Sequence, residues 1–444
     1  MPPGAYAVRS FQGQVAEVGR DPREDGVAVV DVREVREGGH LVTLSPRSQP
    51  DRVMGPATPT WWSSPMSKHA RSSGLPVDGV EVATAEGWTF PARNPATGER
   101  LWDVPDAGVP DAQTAVAAAR RAYDETTWST DTELRREALS RLQDALRERS
   151  DDLAVLIAAE TGVPVGLRAA HVDAPIAGMR GEPGPPPVQP PGVTAVVTPS
   201  TSPLAVAVAE VGRVLVAGGT VVLKPAPETA SAALELGRIA LDILPRGVLN
   251  VVTTRDVDVA IALTLDPRVD DVSFTGSAFA GERVREAAER AGKRVRLDVG
   301  APRTVQLGDG DDLVAVVSAA AVAVAANAGQ ACRVPATVVV PADRHDEALG
   351  VAVAAMGDVV VGDPTDPGTV CGPLRSPVAR DRVLRYLDLA RSEGGDVVLG
   401  GHRLDRPGWW VAPTVVGGLS RQSRVVREEV LGPVLMVVAA GPNS

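Results

Sequence analysis

The chain has 444 residues, 44% hydrophobic and 23% charged, which is enough to bury a large core and fill two or three lobes. A net charge of −11 speaks against nucleic acid and anionic membrane as partners, because both select basic surface. Two cysteines cannot build a disulfide framework, no basic-then-apolar leader opens the chain, and no apolar run approaches the ~20 residues that span a bilayer. The expected compartment is therefore the cytoplasm.

Residues 1–75 show little pattern. Val27–Val32 and Leu41–Leu44 are candidate strands, and Arg47–Arg71 is a Pro/Ser/Arg-rich stretch with an isolated Trp61-Trp62. Met66 offers an alternative start, so these residues are either a divergent extension or an over-extended reading frame. From Val80 the pattern tightens. Asn94-Pro95-Ala96-Thr97-Gly98-Glu99 is a turn between two short strands. A helix is predicted from about Ala112 to Tyr123. A second carries Leu139, Leu142, Leu146, Leu153 and Leu156 on one face and stops at Glu160-Thr161-Gly162. Both read as amphipathic surface helices. Residues 181–192 hold too many prolines for the interior of a sheet and read as an extended linker.

Strands and helices then alternate: Val193–Val197, helix Leu204–Val216, Thr220–Lys224, helix Ala230–Leu244, Val248–Val252, helix Val257–Leu265, Asp271–Phe274, helix Gly281–Ala291 and Val295–Val299. Short apolar strands separated by helices predict a parallel sheet covered on both faces. Such sheets bind ligands at the carboxyl ends of their strands, where Thr198–Thr201, Lys224 and Thr275–Ser277 fall. Leu313–Ala326 reads as a core helix. Thr337–Val340 and helices Asp346–Met356 and Val378–Arg391 predict a second α/β lobe.

Cys332 ends the run Asn327-Ala328-Gly329-Gln330-Ala331-Cys332. A thiol behind such a turn suits a nucleophile, with backbone N–H groups near to bind an oxyanion. Taken alone, a cysteine after a buried helix is more often an inert small hydrophobe. None of the five histidines lies near it in sequence. Lysine is avoided, since only Lys68, Lys224 and Lys293 occur among 45 basic residues, so Lys224 carries more weight than a strand-capping lysine in solvent would.

Four further segments keep company with Cys332: Val221–Thr229 with Lys224-Pro225-Ala226-Pro227-Glu228-Thr229, Phe274-Thr275-Gly276-Ser277-Ala278-Phe279-Ala280-Gly281, Leu297-Asp298-Val299-Gly300-Ala301-Pro302, and Glu428-Glu429-Val430-Leu431-Gly432-Pro433-Val434. Together and in this order they resemble the NAD(P)-dependent aldehyde dehydrogenases, over about residues 80–438. The resemblance implies a two-lobe α/β fold: a parallel-sheet cofactor-binding domain plus an incomplete α/β catalytic domain. On that division, residues 1–75 are an extension, 76–180 and 193–298 the dinucleotide-binding domain, 181–192 a linker, and 299–444 the catalytic domain.

The resemblance also implies roles. Cys332 is the nucleophile, Asp298 stands where the family has its deacylating glutamate, and Thr201 stands where it has the oxyanion-binding asparagine. Thr198, Pro199, Lys224, Gly276, Ser277 and Glu429 fall at cofactor-binding positions. Pro227 replaces the acid that selects NAD, so NAD and NADP both remain open. No metal is implied, and the substrate is a small aldehyde.

Several positions depart from the family. Losing one oxyanion donor typically costs about 10²–10³ in rate, so Thr201 in place of Asn implies weaker catalysis. Asp298 is one methylene short, Pro302 replaces a lysine and Leu431 a phenylalanine. The linker is shorter than the family's dimer-building arm, and the chain stops ten residues after Val434, which leaves a homo-oligomer possible but its usual elements shortened or missing. Two readings follow: oxidation of an aldehyde to a carboxylic acid through a cysteine thioester, or a catalytically impaired, dinucleotide-binding relative or truncated product.

Overall fold

The computed structural model describes residues 74–181, 191–308, 310–331 and 334–441, with two short strands upstream, Val8–Arg9 and Val15–Ala16. The expected strands at Val27–Val32 and Leu41–Leu44, the Arg47–Arg71 stretch with Trp61-Trp62, Met66, residues 182–190 of the linker, and Cys332 lie outside the described residues. The chain forms two units, Met1–Lys68 and His69–Ser444. In the first, Val8–Arg9 pairs antiparallel with Val15–Ala16. The second holds all the remaining elements.

Two hairpins lead in. β1 (Gly74–Val77) and β2 (Val80–Ala83) are joined by Asp78-Gly79, both at positive φ (53° and 74°), the conformation that a two-residue hairpin turn requires. β3 (Thr89–Arg93) and β4 (Arg100–Pro105) flank the expected Asn94–Glu99 turn, where Gly98 N–H donates to the Asn94 carbonyl (2.7 Å).

α1 (Val109–Glu125) turns Ala112, Ala115, Val116, Ala119 and Ala122 inward, a stripe at helical spacing. The leucine stripe that predicted one continuous helix is divided between two. α2 (Thr132–Glu148) is capped by Asp131, whose carboxylate accepts from Leu134 N–H (3.0 Å), and α3 runs Ser150–Thr161. Between them Arg149 leaves helical geometry (φ −102°, ψ 9°), and apolar spacing is blind to a one-residue break. Nor is α3 a surface helix: residues Leu153, Ala154 and Leu156–Thr161 are buried, and Gly162 at φ 82° ends it.

The first large sheet is wholly parallel, in the order β9-β8-β5-β6-β7, from β5 (Val193–Val197), β6 (Thr220–Lys224), β7 (Leu249–Val251), β8 (Asp271–Gly276) and β9 (Arg294–Val299). Its crossovers are α4 (Pro203–Val216), α5 (Ser231–Ala240), α6 (Val257–Leu265) and α7 (Ala278–Arg290). The chain winds outward from β5 to β7 and returns to β8 on the other side of β5. The order reverses there, which opens a crevice at the carboxyl ends of β5 and β8.

The second sheet has the order β10-β11-β14-β13-β12, from β10 (Arg303–Gln306), β11 (Pro335–Pro341), β12 (Asp396–Leu399), β13 (Thr414–Gly417) and β14 (Val434–Ala440). Only β12 runs antiparallel. α8 (Leu313–Ala325) and α9 (His345–Gly357) pack Val317, Ala321, Val324, Ala348 and Ala352 against one face, on Val338, Val340, Leu435 and Val437. α10 (Pro377–Ser392) packs Val383 and Leu387 with Val339, Met436 and Val438 of the other. The strands alternate because each face meets a helix layer. No described helix is long and apolar enough to cross a membrane.

Candidate active site

The residues expected at strand ends are there. Thr198 follows β5 and donates its N–H to the carbonyl of Lys224 (3.1 Å), the last residue of β6, in line with the Val197–Lys224 register. Thr198 and Thr201 are buried, and the Thr198 hydroxyl has no hydrogen-bond partner among the described residues. Lys224 is 9% exposed, so it does not cap its strand in solvent. Its Nζ donates to the Pro225 carbonyl (2.9 Å). Burial pulls the ammonium down to about 8, opposed by the charge of Glu228, which is itself exposed. An amine held this way gains from any new anionic or hydroxyl partner.

β8 ends at Gly276, and Ser277 caps α7 by accepting from Ala280 N–H (3.3 Å). The helix thus begins three residues earlier than the sequence predicts. Both glycines of this turn are needed for space: a Cβ at Gly276 would lie 2.7 Å from the Phe274 ring, and one at Gly281 2.6 Å from Val299. Asp298, in β9, is paired in register with Thr275, and Gly300 N–H donates to the Gly276 carbonyl (3.1 Å).

The second cluster is built from strained backbone. After α8, Asn327, Ala328 and Gly329 adopt φ of 50°, 51° and 67°, three successive left-handed residues. Two of them carry side chains, which costs roughly 1–2 kcal/mol each and must be held from outside. Asn327 N–H donates to the Val370 carbonyl (3.1 Å). Gln330 Nε2 donates to the carbonyls of Asn327 and Pro373 (3.2 Å each), and Gln330 Oε1 accepts from the N–H (2.9 Å) and guanidinium (3.2 Å) of Arg375. Gly329 presses on the Gly432 carbonyl, 1.9 Å from where a Cβ would sit. Cys332 follows two residues after Gln330, outside the described residues. The other cysteine, Cys371, is fully buried and pushed up to about 12, an inert thiol.

The two clusters meet at Glu429. Both carboxylate oxygens of Glu429 lie 2.5 Å from the position of a Cβ at Gly300, so the residue after β9 has to be glycine for Glu429 to lie where it does. Leu431, at φ 56°, and Gly432 then turn the chain against Gly329 and into β14. A narrow cleft lined by Ala301, Pro302, Gly329, Ala331, Glu429 and Leu431 runs between these segments. Thr198, Lys224, Gly276, Ser277 and Asp298 thus share the carboxyl edge of the first sheet, and Glu429 reaches that edge from the second. Sequence reasoning assigned nothing to Gln330's side chain, Arg375 or Arg382. The bonds that tie them to distant segments, Gln330 to Pro373, Arg375 to Gln330 and Arg382 to Glu429, span 43 to 47 positions and leave no local pattern to read.

The chain matches the model of the aldehyde dehydrogenase family over residues 82–181 and 187–441. It is 35% identical over 387 residues to an aminoacetaldehyde dehydrogenase of Pseudomonas aeruginosa (82% of this chain, 77% of that one). It is 32% identical over 367 residues to a geranial dehydrogenase of Castellaniella defragrans (78% and 77%). Among solved structures it resembles aldehyde dehydrogenase C of Pseudomonas syringae, a mutant in complex with NAD+ and octanal, with a TM-score of 0.79, 31% identity and coverage of 83% of this chain and 80% of that one. An NAD+ complex of an aldehyde dehydrogenase from Bacillus cereus gives a TM-score of 0.80 at 27% identity, covering 85% and 82%. The chain belongs to the aldehyde dehydrogenase family.

Proposed function

We propose that this protein oxidises an aldehyde to a carboxylic acid with NAD or NADP, through a thioester on Cys332. The observation that carries the reading is the contact between Glu429 and Gly300, which brings the block after the second lobe's last crossover onto the edge where the first sheet's polar residues collect. Residues 76–180 and 193–298 serve the dinucleotide, and residues 299–444 carry the nucleophile.

The residues present fit a dinucleotide. The Thr198 hydroxyl is a buried polar group without a partner among the described residues. Lys224 has N–H donors to spare beyond its bond to Pro225. The capped start of α7, with Gly276 and Ser277, presents helix N–H groups suited to a phosphate. Pro199 completes the turn after β5, and Glu429 takes the ribose next to the nicotinamide. Pro227 places no carboxylate against a 2′-phosphate, so both cofactors are admitted. When bound, the nicotinamide supplies the hydride acceptor.

The chain's own residues do the rest. The Cys332 thiolate attacks the aldehyde carbon, and the new oxyanion accepts hydrogen bonds from the Cys332 N–H and the Thr201 hydroxyl. After oxidation to the thioester, Asp298 takes a proton from the attacking water, and the acid leaves as the thiolate is regenerated. The shorter reach of Thr201 and Asp298, relative to Asn and Glu, predicts slow acylation and slower deacylation.

The test is wild type against Cys332→Ala, each with an aldehyde panel and NAD or NADP, following reduced-cofactor absorbance. Turnover in the wild type and a loss of about 10⁴-fold or more in the variant is expected. A burst without turnover would place the defect at Asp298. No signal with any aldehyde, while the cofactor still binds, would overturn the reading.

A further inference from the structure

The Glu428–Pro433 block reaches the site as a loop, and a loop fixes a carboxylate in space only where something rigid holds the loop. Its own backbone supplies little stiffness, since Leu431 is left-handed at φ 56° and Gly432 on its own adds no rigidity. The rigid neighbour is α10. One turn of that helix presents Arg382, Val383 and Tyr386 toward the block, and all three engage it.

The guanidinium of Arg382 donates to the backbone carbonyl of Glu429. Its face lies over the Tyr386 ring, 5.4 Å from the centroid, and the Tyr386 hydroxyl donates to the Glu428 carboxylate (2.8 Å). Arg424 Nε donates to the other oxygen of the same carboxylate (3.0 Å). Val383 meets Gly432 so closely that a Cβ there would lie 2.5 Å from it. Arg382 is also the cation whose charge opposes the upward pull of burial on the Glu429 carboxyl. We propose that Arg382, braced by Tyr386, is a positioning residue: it pins the Glu429 backbone to α10, and so sets where the Glu429 carboxylate stands over Gly300 to meet the cofactor ribose.

This rests on the reading of Glu429 as a cofactor contact, so the experiment separates the two. Dissociation constants for NAD and NADP, and Michaelis constants for cofactor and aldehyde, are measured for wild type, Glu429→Gln, Arg382→Ala, Arg382→Lys and Arg382→Ala/Glu429→Gln. Melting temperatures for all five are measured alongside. Removing one charge-assisted hydrogen bond weakens cofactor binding by about ten-fold or more, and the Michaelis constant for the aldehyde should scarcely move. Lysine, which keeps a cationic donor but not the planar stack, should restore part of the affinity. In the Glu429→Gln background the loss of Arg382 should add little, because the carboxylate that it positions is gone.

If Glu429→Gln leaves cofactor binding unchanged, the reading of Glu429 fails. If Glu429→Gln weakens binding but Arg382→Ala does not, or if the two losses add in full, the positioning role fails while that of Glu429 stands. Should Arg382→Ala not fold, Arg382→Lys and Tyr386→Phe decide. Cofactor affinity unchanged in both would overturn the proposal, and a loss confined to cofactor constants in either would support it.

Discussion

At the carboxyl edge of the first sheet, each candidate residue sits within a few positions of a strand's end, and ordinary geometry holds it there: a register, a helix cap, a glycine that makes room. The turn after α8 is the opposite case. Three left-handed residues run in succession; Val370 and Gly432 hold them directly, and Pro373 and Arg375 hold the Gln330 that follows, from 43 to 103 positions away. A cofactor can be gripped by the regular ends of a sheet, because backbone N–H groups and dipoles already point there. The turn that leads toward the proposed nucleophile departs from regular structure, and its strain has to be held from outside.

Substitutions that add one methyl group test this contrast from each side. Gly329→Ala should have the largest effect. It places a Cβ 1.9 Å from the Gly432 carbonyl on a residue at φ 67°. The turn and the Glu428–Pro433 block must then separate, at a cost of about 3 kcal/mol or more. Thermal unfolding should show a clear fall in midpoint, and turnover should collapse even in the fraction that folds. A variant with wild-type stability and rate would mean that the left-handed turn is incidental.

The regular side carries its own buried liability. Glu160, at the end of α3, accepts from the N–H (3.0 Å) and hydroxyl (2.6 Å) of Ser231 and so caps α5, the crossover that follows β6. Trp102 Nε1 donates to the same hydroxyl (2.8 Å). Burial nonetheless raises the carboxyl from 4.5 to about 7, because desolvation outweighs these bonds. The folded state therefore binds this proton more tightly than the unfolded chain does. Stability should decline as pH rises from the unfolded value near 4.5 to the folded value near 7, then level off. The contribution lost over that window is roughly 3 kcal/mol. Chemical denaturation from pH 5 to 8 reads it directly, and Glu160→Gln should flatten the slope. An equally steep slope in the variant would assign the dependence to other groups.

These two regions also differ in how much of them can be read without a structure. β5, β6 and α6 match the expected residues because glycine, proline or an N-cap aspartate bounds each apolar run. The second sheet is harder. β10 is mostly exposed at an edge and shows no apolar run, and β14 hides behind a motif that draws the eye to Glu428-Glu429 instead. The motifs led to Asn327, Gly329 and Gln330, but the clamps from Arg375 and Arg382 are long-range contacts between ordinary arginines in a chain full of them. What composition and spacing can express is local. What holds the strained turn is not.

The smallest expected effect comes from the junction between the regions. Gly300→Ala puts a methyl group 2.5 Å from the Glu429 carboxylate oxygens, at a position whose φ is not left-handed and where no backbone is struck. The far end of a flexible side chain can move aside, so the melting temperature should hold within a few degrees. A displaced Glu429 should weaken cofactor binding by about ten-fold, worth about 1.4 kcal/mol, and leave the aldehyde Michaelis constant nearly unchanged. Gly329→Ala should differ: it loses stability and rate together, and any loss of cofactor binding accompanies them rather than standing alone. If the two alanine variants gave the same pattern, the proposed division between a regular cofactor edge and a strained turn before Cys332 would be wrong, and the site would have to be treated as one coupled unit in which Glu429 and the turn shift together through Gly432.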